Sequence, residues 1–332
     1  MVCGCAHAGH GGGAGLASPS DDAALYVNPA ALAGVKKFDF TGIAANIEGS
    51  TDVYTNYATD IAAFSNFTTS SIDAVMGQDI YARAEVTPTL IAPNMAGGIY
   101  VDGQAGIVAR NEQLPQITLM NQVTYGMQFG YGTSLLGRKA LRNPKMDFRV
   151  GAAVKFGWRR GGTSQLDLTD LLNLESNYSS YLYPVPQFGI GVDLGMQFIN
   201  NFSKMMSLSW GLTYQDVGNT AYGSADAQPQ NVSTGVSFTY KVPGVTATVA
   251  YDIRHLTDDA DFMKKNHVGL AVKIPLIDLY AGVYQTSITY GASVDLWLFN
   301  ISVATYSEEQ GTYAFQDPEN RWVARIGVKI GI

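Results

Sequence analysis

Alternation of apolar and polar residues with a period of two recurs from Val35 to the end of the chain, as in β-strands with two unlike faces. In the last repeat one face is apolar and comprises Trp322, Ala324, Ile326, Val328, Ile330 and Ile332. The other face comprises Arg325, Gly327, Lys329 and Gly331. A soluble sandwich would bury the first face in a core. A barrel in lipid turns that face outward and directs the charged residues into a wet interior.

The repeats predict an all-β fold, a transmembrane antiparallel β-barrel of about fourteen strands. The predicted strands are 35–48, 80–91, 96–109, 117–132, 148–160, 185–199, 205–217, 230–242, 245–254, 266–274, 278–285, 287–297, 299–307 and 321–332. Many are about ten residues or longer, which a tilted strand needs to cross a bilayer. In the first strand Phe38 and Phe40 are out of phase with Ile43, so we expect a β-bulge near Gly42.

An even strand number places both chain ends on one side, which in bacterial outer membranes is the periplasmic side. The connections on that side are predicted to be tight turns at 93–94, 241–244 and 275–278. The outer connections are longer and cover 49–79, 161–184, 218–230, 255–265 and 308–320. The connection 135–147 is long for a periplasmic turn and is the exception.

The first 34 residues differ from the rest and are predicted to form a tail and a hatch, or plug, inside the lumen of the barrel formed by 35–332. The stretch is rich in Gly and Ala. The Asn28-Pro29 turn then starts a short helix, since proline suits the first helical position. The candidate plug residues are Asp21, Asp22, Asn28, Pro29 and Ala30.

Composition agrees with a membrane barrel. The 332 residues include 36 Gly, 19 Tyr and 14 Phe, and only 15% are charged, whereas soluble proteins average about a quarter. No run of about 18 apolar residues is present, which excludes transmembrane helices. On composition alone a large soluble all-β protein remains an alternative. The formal charge of −7 argues against a nucleic-acid partner.

Charged residues recur on the predicted inner face. The candidates are Arg149, Lys155, Arg159, Asp193, Lys273, Arg325 and Lys329. Such charges are costly in a dry interior unless they are paired. Two roles stay open for them. They either pair across the lumen and hydrogen-bond a plug, or they line a path for ions or solutes.

The first outer loop carries apolar residues at helix-like spacing. They are Tyr57, Ile61, Phe64 and Phe67. This helix is predicted either to form a lid over the mouth or to pack against the rim or a neighbouring subunit.

The N-terminal tail holds a pair of thiols, Cys3 and Cys5, followed by His7 and His10. Four such ligands on a short tether suit zinc or copper. A disulfide within or between chains, a lipidated terminus and a mobile tail are the alternatives, and we assign no metal site. The first residues lack a basic start and an apolar core, so we expect the numbering to start at or near a processed N-terminus.

The sequence carries no G-x-S-x-G, P-loop or H-E-x-x-H motif, each of which would point to a definite chemistry. His255 and His267 have no obvious nucleophile or acid beside them in the sequence. We therefore predict that the protein is not an enzyme and uses no cofactor.

Several short runs resemble the FadL-like superfamily of outer-membrane barrels, and more closely its TraF-like and PorV-like branch. The N-terminal runs are DDAA at 21–24, NPAAL at 28–32 and FDF at 38–40. The C-terminal runs are YAGV at 280–283, YGASVD at 290–295 and ATYSEEQG at 304–311. The resemblance brackets nearly the whole chain. It implies fourteen strands, a hatch in the lumen and a place in the outer membrane of a Gram-negative bacterium.

The resemblance also implies candidate functions. FadL itself takes up long-chain fatty acids through a hydrophobic pocket and an opening in the wall, whereas PorV-like relatives are protein-binding platforms. The charged lumen and the terminal Ile332, where an aromatic residue is common, depart from the family pattern. We expect a barrel that binds or passes hydrophobic small molecules or lipids. The alternatives are a structural or interaction barrel, which would organise lipid or partner proteins as a homo-oligomer, and a general porin.

Overall fold

A computed structural model describes residues 14–19, 21–51, 79–110, 116–136, 145–166, 170 and 185–331. Helix α1 spans Asp21–Val27, and 3-10 helices span Pro29–Gly34 and Phe262–Lys265. The strands are β1 Asp39–Ser50, β2 Asp79–Val86, β3 Thr89–Ala92, β4 Met95–Arg110, β5 Gln116–Ser134, β6 Met146–Leu166, β7 Gln187–Asn201, β8 Met206–Gln215, β9 Thr220–Tyr222, β10 Ala225–Gln228, β11 Asn231–Val242, β12 Val245–Ile253, β13 Asn266–Ile274, β14 Ile277–Tyr284, β15 Ser287–Leu296, β16 Phe299–Glu309 and β17 Pro318–Gly331.

These strands form a closed antiparallel barrel. The main sheet contains fifteen of them, and β17 pairs back with β1 from Asp39 opposite Gly331 to Ser50 opposite Arg321. Both β2 and β3 lie between β1 and β4, so together they form one strand of the wall. The wall therefore has fourteen strands, and the predicted fold class is confirmed. Closure removes the sheet edges that would otherwise expose unpaired backbone groups.

The wall strand formed by β2 and β3 is interrupted at Thr87 and Pro88, because proline has no N–H for the ladder. The wall stays hydrogen-bonded at this point. The amide of Thr87 donates to the carbonyl of Ala44 at 2.8 Å, and the carbonyl of Pro88 accepts from Ile99 at 3.0 Å.

A β-bulge shifts the β1–β17 register between Thr41 and Ile43, which confirms the one predicted near Gly42. The side chains of Phe40 and Ile43 are both exposed on the barrel. The extra residue therefore brings two apolar sets of opposite phase to the same outer face.

The two faces of the wall differ as the alternation predicts. On β7 the exposed side chains are apolar and include Phe188, Ile190, Leu194 and Met196. Asp193 and Gln197, which alternate with them, are buried in the interior. An apolar exterior around a polar interior suits a barrel in contact with lipid. Among the described residues, no helix is long and apolar enough to cross a membrane.

The longest strands extend beyond their predicted bounds. The sequence pattern ends one strand at residue 160, whereas β6 continues to Leu166 and pairs with β5 as far as Ile117. The added residues 161–165 are small or polar. The predicted loop 161–184 therefore starts too early. Without an apolar face the extension has no periodic signal, and its strand character comes from pairing with β5.

Candidate functional site in the barrel interior

The N-terminal segment (residues 14–35) lies against the inner face of the wall. Four wall side chains hydrogen-bond its backbone: Asp252 accepts from Gly15 at 2.8 Å and Leu16 at 3.0 Å, Gln197 donates to Ala17 at 2.8 Å, Gln128 donates to Leu25 at 3.0 Å, and Gln215 donates to Tyr26 at 2.7 Å. Buried peptide groups outside regular structure need such partners. The polar inner face thus provides hydrogen bonds that a purely apolar lumen would lack.

Asn28 is fully buried and links the segment to itself and to the wall. Its side-chain oxygen accepts from the amide of Ala30 at 3.1 Å and caps the 3-10 helix that starts at Pro29. Its side-chain nitrogen donates to the carbonyls of Leu16 at 3.3 Å and Met196 at 3.2 Å. The Asn-Pro pair noted in the sequence therefore fixes both the helix start and its place on β7.

Glycines of the wall allow the 3-10 helix to approach closely. A Cβ at Gly151 would lie 2.4 Å from the carbonyl carbon of Pro29, and one at Gly132 would lie 2.7 Å from its oxygen. Leu25 and Leu32 pack beside this contact in a buried apolar cluster. A side chain at either glycine would collide with backbone, which cannot rotate away.

We expect Asn28→Ala to lower the free energy of unfolding by about 2 kcal/mol, because it removes a cap and leaves buried backbone groups unpaired. Thermal unfolding in detergent, followed by circular dichroism, measures the loss. Asp261→Ala is the matched control, since Asp261 caps the exposed 3-10 helix Phe262–Lys265. Equal losses in the two variants would contradict a special role for the buried cap.

Lys155 joins two carboxylates in the middle of the lumen. Its ammonium lies 2.8 Å from Asp193 and 2.6 Å from Asp216. Gln128 donates to Asp193 at 3.1 Å and also to the N-terminal segment, so it connects the ion cluster to that segment. The sequence placed Lys155 and Asp193 on the inner face. It did not single out Asp216, because in the predicted strand 205–217 this residue is out of phase with Thr213 and Gln215, which face the interior.

Arg159 holds the hairpin formed by β9 and β10 against the wall. The guanidinium donates to Thr124 at 3.1 Å, to the carbonyl of Asp226 at 2.9 Å and to Gln228 at 2.9 Å. It also lies 4.4 Å from the ring centroid of Tyr222. The hairpin occupies the predicted loop 218–230 and packs into the barrel, which no periodic pattern in that short stretch indicates.

A cavity of about 30 Å³ lies between these groups, and Tyr26, Tyr222, Lys155 and Asp216 are among its lining residues. This volume is close to that of one water molecule. The lining is polar and charged. This cavity is therefore too small and too polar for a hydrophobic ligand.

A second cavity, the upper cavity, has a volume of about 340 Å³ and lies near the loop ends of the strands. The side formed by β2, β4 and β5 is mixed, because Val108 and Met120 share the inner face with Arg83, Gln104 and Thr118. The opposite side, at β16 and β17, is polar and includes Glu308, Gln310, Glu319 and Arg321. Its volume is at the small end of the range of ligand pockets, about 300–1,000 Å³.

The charges beside the upper cavity are paired. Arg321 lies 2.6 Å from Glu319 and 3.6 Å from Glu48, contacts Glu308, and lies 3.8 Å from the ring centroid of Tyr81. Arg321 is not among the predicted lumen residues, although it lies in phase with Arg325 on the last strand. That shared phase is the sequence signal that could have identified it.

Arg149 and Lys273, two other predicted lumen residues, lie apart from the Lys155 cluster. Arg149 contacts Asp147 at 2.5 Å and Gln197 at 3.1 Å, beside Gly34. Lys273 is half-exposed and pairs with Asp278 at 3.0 Å. Two further residues lie on β17: Arg325 is buried and Lys329 is partly buried.

The other candidates are only partly described. Asp21 and Asp22 begin helix α1, and their side chains lie outside the described part of the structure. The remaining candidates fall wholly outside the described residues: Tyr57, Ile61, Phe64, Phe67, Cys3 and Cys5.

Comparisons with known proteins address the fold. No family model and no curated protein matches the chain. Among solved structures, the CymD monoaromatic hydrocarbon channel is 11% identical, covers 98% of both chains and gives a TM-score of 0.52. The Ralstonia pickettii toluene transporter TbuX is 13% identical, with 99% and 98% of the chains covered and a TM-score of 0.47.

CdiB from Acinetobacter baumannii also matches, at 8% identity and a TM-score of 0.39. The match covers 89% of this chain but only 60% of CdiB.

The likeness to CymD shows that the fold is a fourteen-stranded barrel of the same kind. The resemblance to FadL-like barrels is confirmed at the level of the fold. The narrower TraF-like or PorV-like branch stays a prediction.

Proposed function

We propose that this protein is a FadL-like barrel that binds or passes small hydrophobic molecules and has no enzymatic activity. The observation that carries the proposal is the likeness in fold to CymD over nearly the whole length of both chains. The upper cavity supports it, because Val108 and Met120 give it apolar surface and its volume suits a small ligand.

We further propose an outer-membrane location, with membrane lipids around the wall and both termini in the periplasm. The apolar exterior supports contact with lipid. The ends of β1 and β17 that pair at Asp39 and Gly331 lie on the side of the short turns at 93–94 and 243–244. Outer-membrane barrels have their short turns on the periplasmic side.

Residues 1–34 are proposed as a tail and plug. The described part of this stretch supports the plug, because its backbone is held by inward-pointing side chains of β5, β7, β8 and β12. Asn28, Pro29 and Ala30 are its buried anchor.

Equilibrium dialysis of labelled toluene against the protein in nanodiscs tests the function, with empty nanodiscs as the reference. We expect saturable binding above the reference. Met120→Glu should weaken it by roughly tenfold or more, because it places a charge on the apolar surface that Val108 and Met120 give the cavity. Ala260→Glu adds the same charge in an exposed loop and should leave binding unchanged. Binding no greater than that of empty nanodiscs would refute the proposal.

A structural or interaction barrel is the second candidate. The ion cluster and the β9–β10 hairpin favour it, because they fill the middle of the lumen and leave a cavity of only about 30 Å³ between them and the N-terminal segment. A stable homo-oligomer in native mass measurement, without toluene binding, would support this candidate. A general porin would instead give steady single-channel conductance from the full chain.

A further inference from the structure

We infer that the upper cavity selects small amphipathic molecules whose polar end is cationic or a neutral hydrogen-bond donor, and that it disfavours carboxylates. The inference rests on the proposed function and specifies its ligand class. It follows from the ion pairs that already engage the cationic groups of the cavity and from the excess of carboxylates around them, beside a small apolar surface.

Val108 of β4 and Met120 of β5 provide a place for a hydrocarbon tail or ring. They lie on adjacent strands and on the same face, because Val108 pairs with Thr118 and Met120 with Gly106. Both are partly buried. A bound apolar group would remove this surface from water, which contributes about 25 cal/mol for each Å².

The cationic groups of the cavity are already engaged by carboxylates. Arg321 meets Glu48, Glu308 and Glu319, while Tyr81 covers one face of the guanidinium. Arg83, on the same cavity, lies 2.6 Å from Asp102 and 3.8 Å from Glu85. A carboxylate ligand would compete with existing ion pairs for both guanidinium groups.

The amide donors are engaged in the same way. Gln310 donates to Glu319 at 2.8 Å, and Gln104 donates to Asp102 at 2.8 Å. One acceptor, in contrast, remains accessible: the carboxylate of Glu308 lines the cavity and retains about a third of its side-chain exposure.

The net charge around the cavity also favours a cationic or neutral ligand over a carboxylate. Five carboxylates, of Glu48, Glu85, Asp102, Glu308 and Glu319, contact the two guanidinium groups of Arg83 and Arg321. An added anion would meet this excess at short range in a medium of low dielectric, whereas an ammonium group would be attracted. A hydroxyl group can donate to the carboxylate of Glu308 without carrying any charge.

Three probes of matched size test the inference: 4-phenylbutylamine, 4-phenylbutan-1-ol and 4-phenylbutanoate. Their binding is measured at neutral pH by equilibrium dialysis against the protein in zwitterionic nanodiscs, with empty nanodiscs subtracted. We expect the affinities to fall from amine to alcohol to carboxylate. The amine should bind at least about tenfold more tightly than the carboxylate.

Glu308→Gln locates the effect. It removes the exposed carboxylate and leaves Glu48 and Glu319 to pair with Arg321, so the barrel should fold. We expect the preference for the amine over the alcohol to fall by severalfold. Asp259→Asn, which makes the same charge change in an exposed loop, should leave the preference unchanged.

The outcomes separate the inference from the function on which it rests. Equal binding of all three probes, tighter binding of the carboxylate, or an unchanged preference in Glu308→Gln would overturn the inference and leave the proposed function standing. If neither these probes nor toluene binds above empty nanodiscs, both fail.

Discussion

Deletion of residues 14–34 is expected to turn a closed barrel into a conducting one. These residues are held by side chains on the inner wall, whereas the wall itself is held by strand pairing that closes through β1 and β17. The deletion should therefore empty the lower lumen without opening the sheet. Water would then solvate the exposed Asp252, Gln197 and Gln128, as in porins with polar interiors.

Single-channel recording in planar bilayers measures this change. The full chain should give background current and the deletion should give discrete open-channel steps. Removal of residues 1–13 alone is the control and should leave the barrel closed. An unchanged closed state after deletion of 14–34 would refute the proposed plug.

A point substitution provides an independent version of this experiment. Gly151→Val places a Cβ about 2.4 Å from the carbonyl carbon of Pro29, and such overpacking typically costs about 1–3 kcal/mol. We expect transient openings in the same recordings. Gly103→Ala is the control, because the atom nearest to its added Cβ outside the adjoining residues, the carbonyl oxygen of Ala84, is 3.9 Å away.

Lys155→Met is expected to lower the free energy of unfolding by about 3–5 kcal/mol, the usual cost of leaving a buried charge without its partner. The substitution keeps most of the side-chain volume but leaves Asp193 and Asp216 facing each other. Urea unfolding in liposomes, followed by tryptophan fluorescence, measures the loss.

Lys273→Met provides the matched comparison. Lys273 also pairs with an aspartate, Asp278, but half of its side chain is exposed, and exposed pairs contribute at most about 1 kcal/mol. Adding Asp193→Asn to Lys155→Met should recover part of the loss, because it removes one of the opposed charges. Equal losses for Lys155→Met and Lys273→Met would contradict a buried, mutually dependent cluster.

The strands of the wall could be predicted from the sequence because the alternation of apolar and polar residues is a local signal. A period of two needs only neighbouring residues, and it revealed fourteen strands and even the bulge between Thr41 and Ile43. The pattern did not predict the end of β6, because residues 161–165 have no apolar face. The N-terminal Asn28-Pro29 signal was local too, and it marked the residue that caps the 3-10 helix.

The interior was decided by the tertiary structure. The sequence could place Lys155 and Asp193 on one face, but only the register of β6 with β7 and of β7 with β8 brings them to Asp216. Glu48 and Arg321 likewise meet because β1 pairs with β17. A side-chain period tells which way a residue points and carries no information about the residue opposite. For this protein, the sequence by itself determined the wall, and long-range strand pairing determined which charges meet inside it.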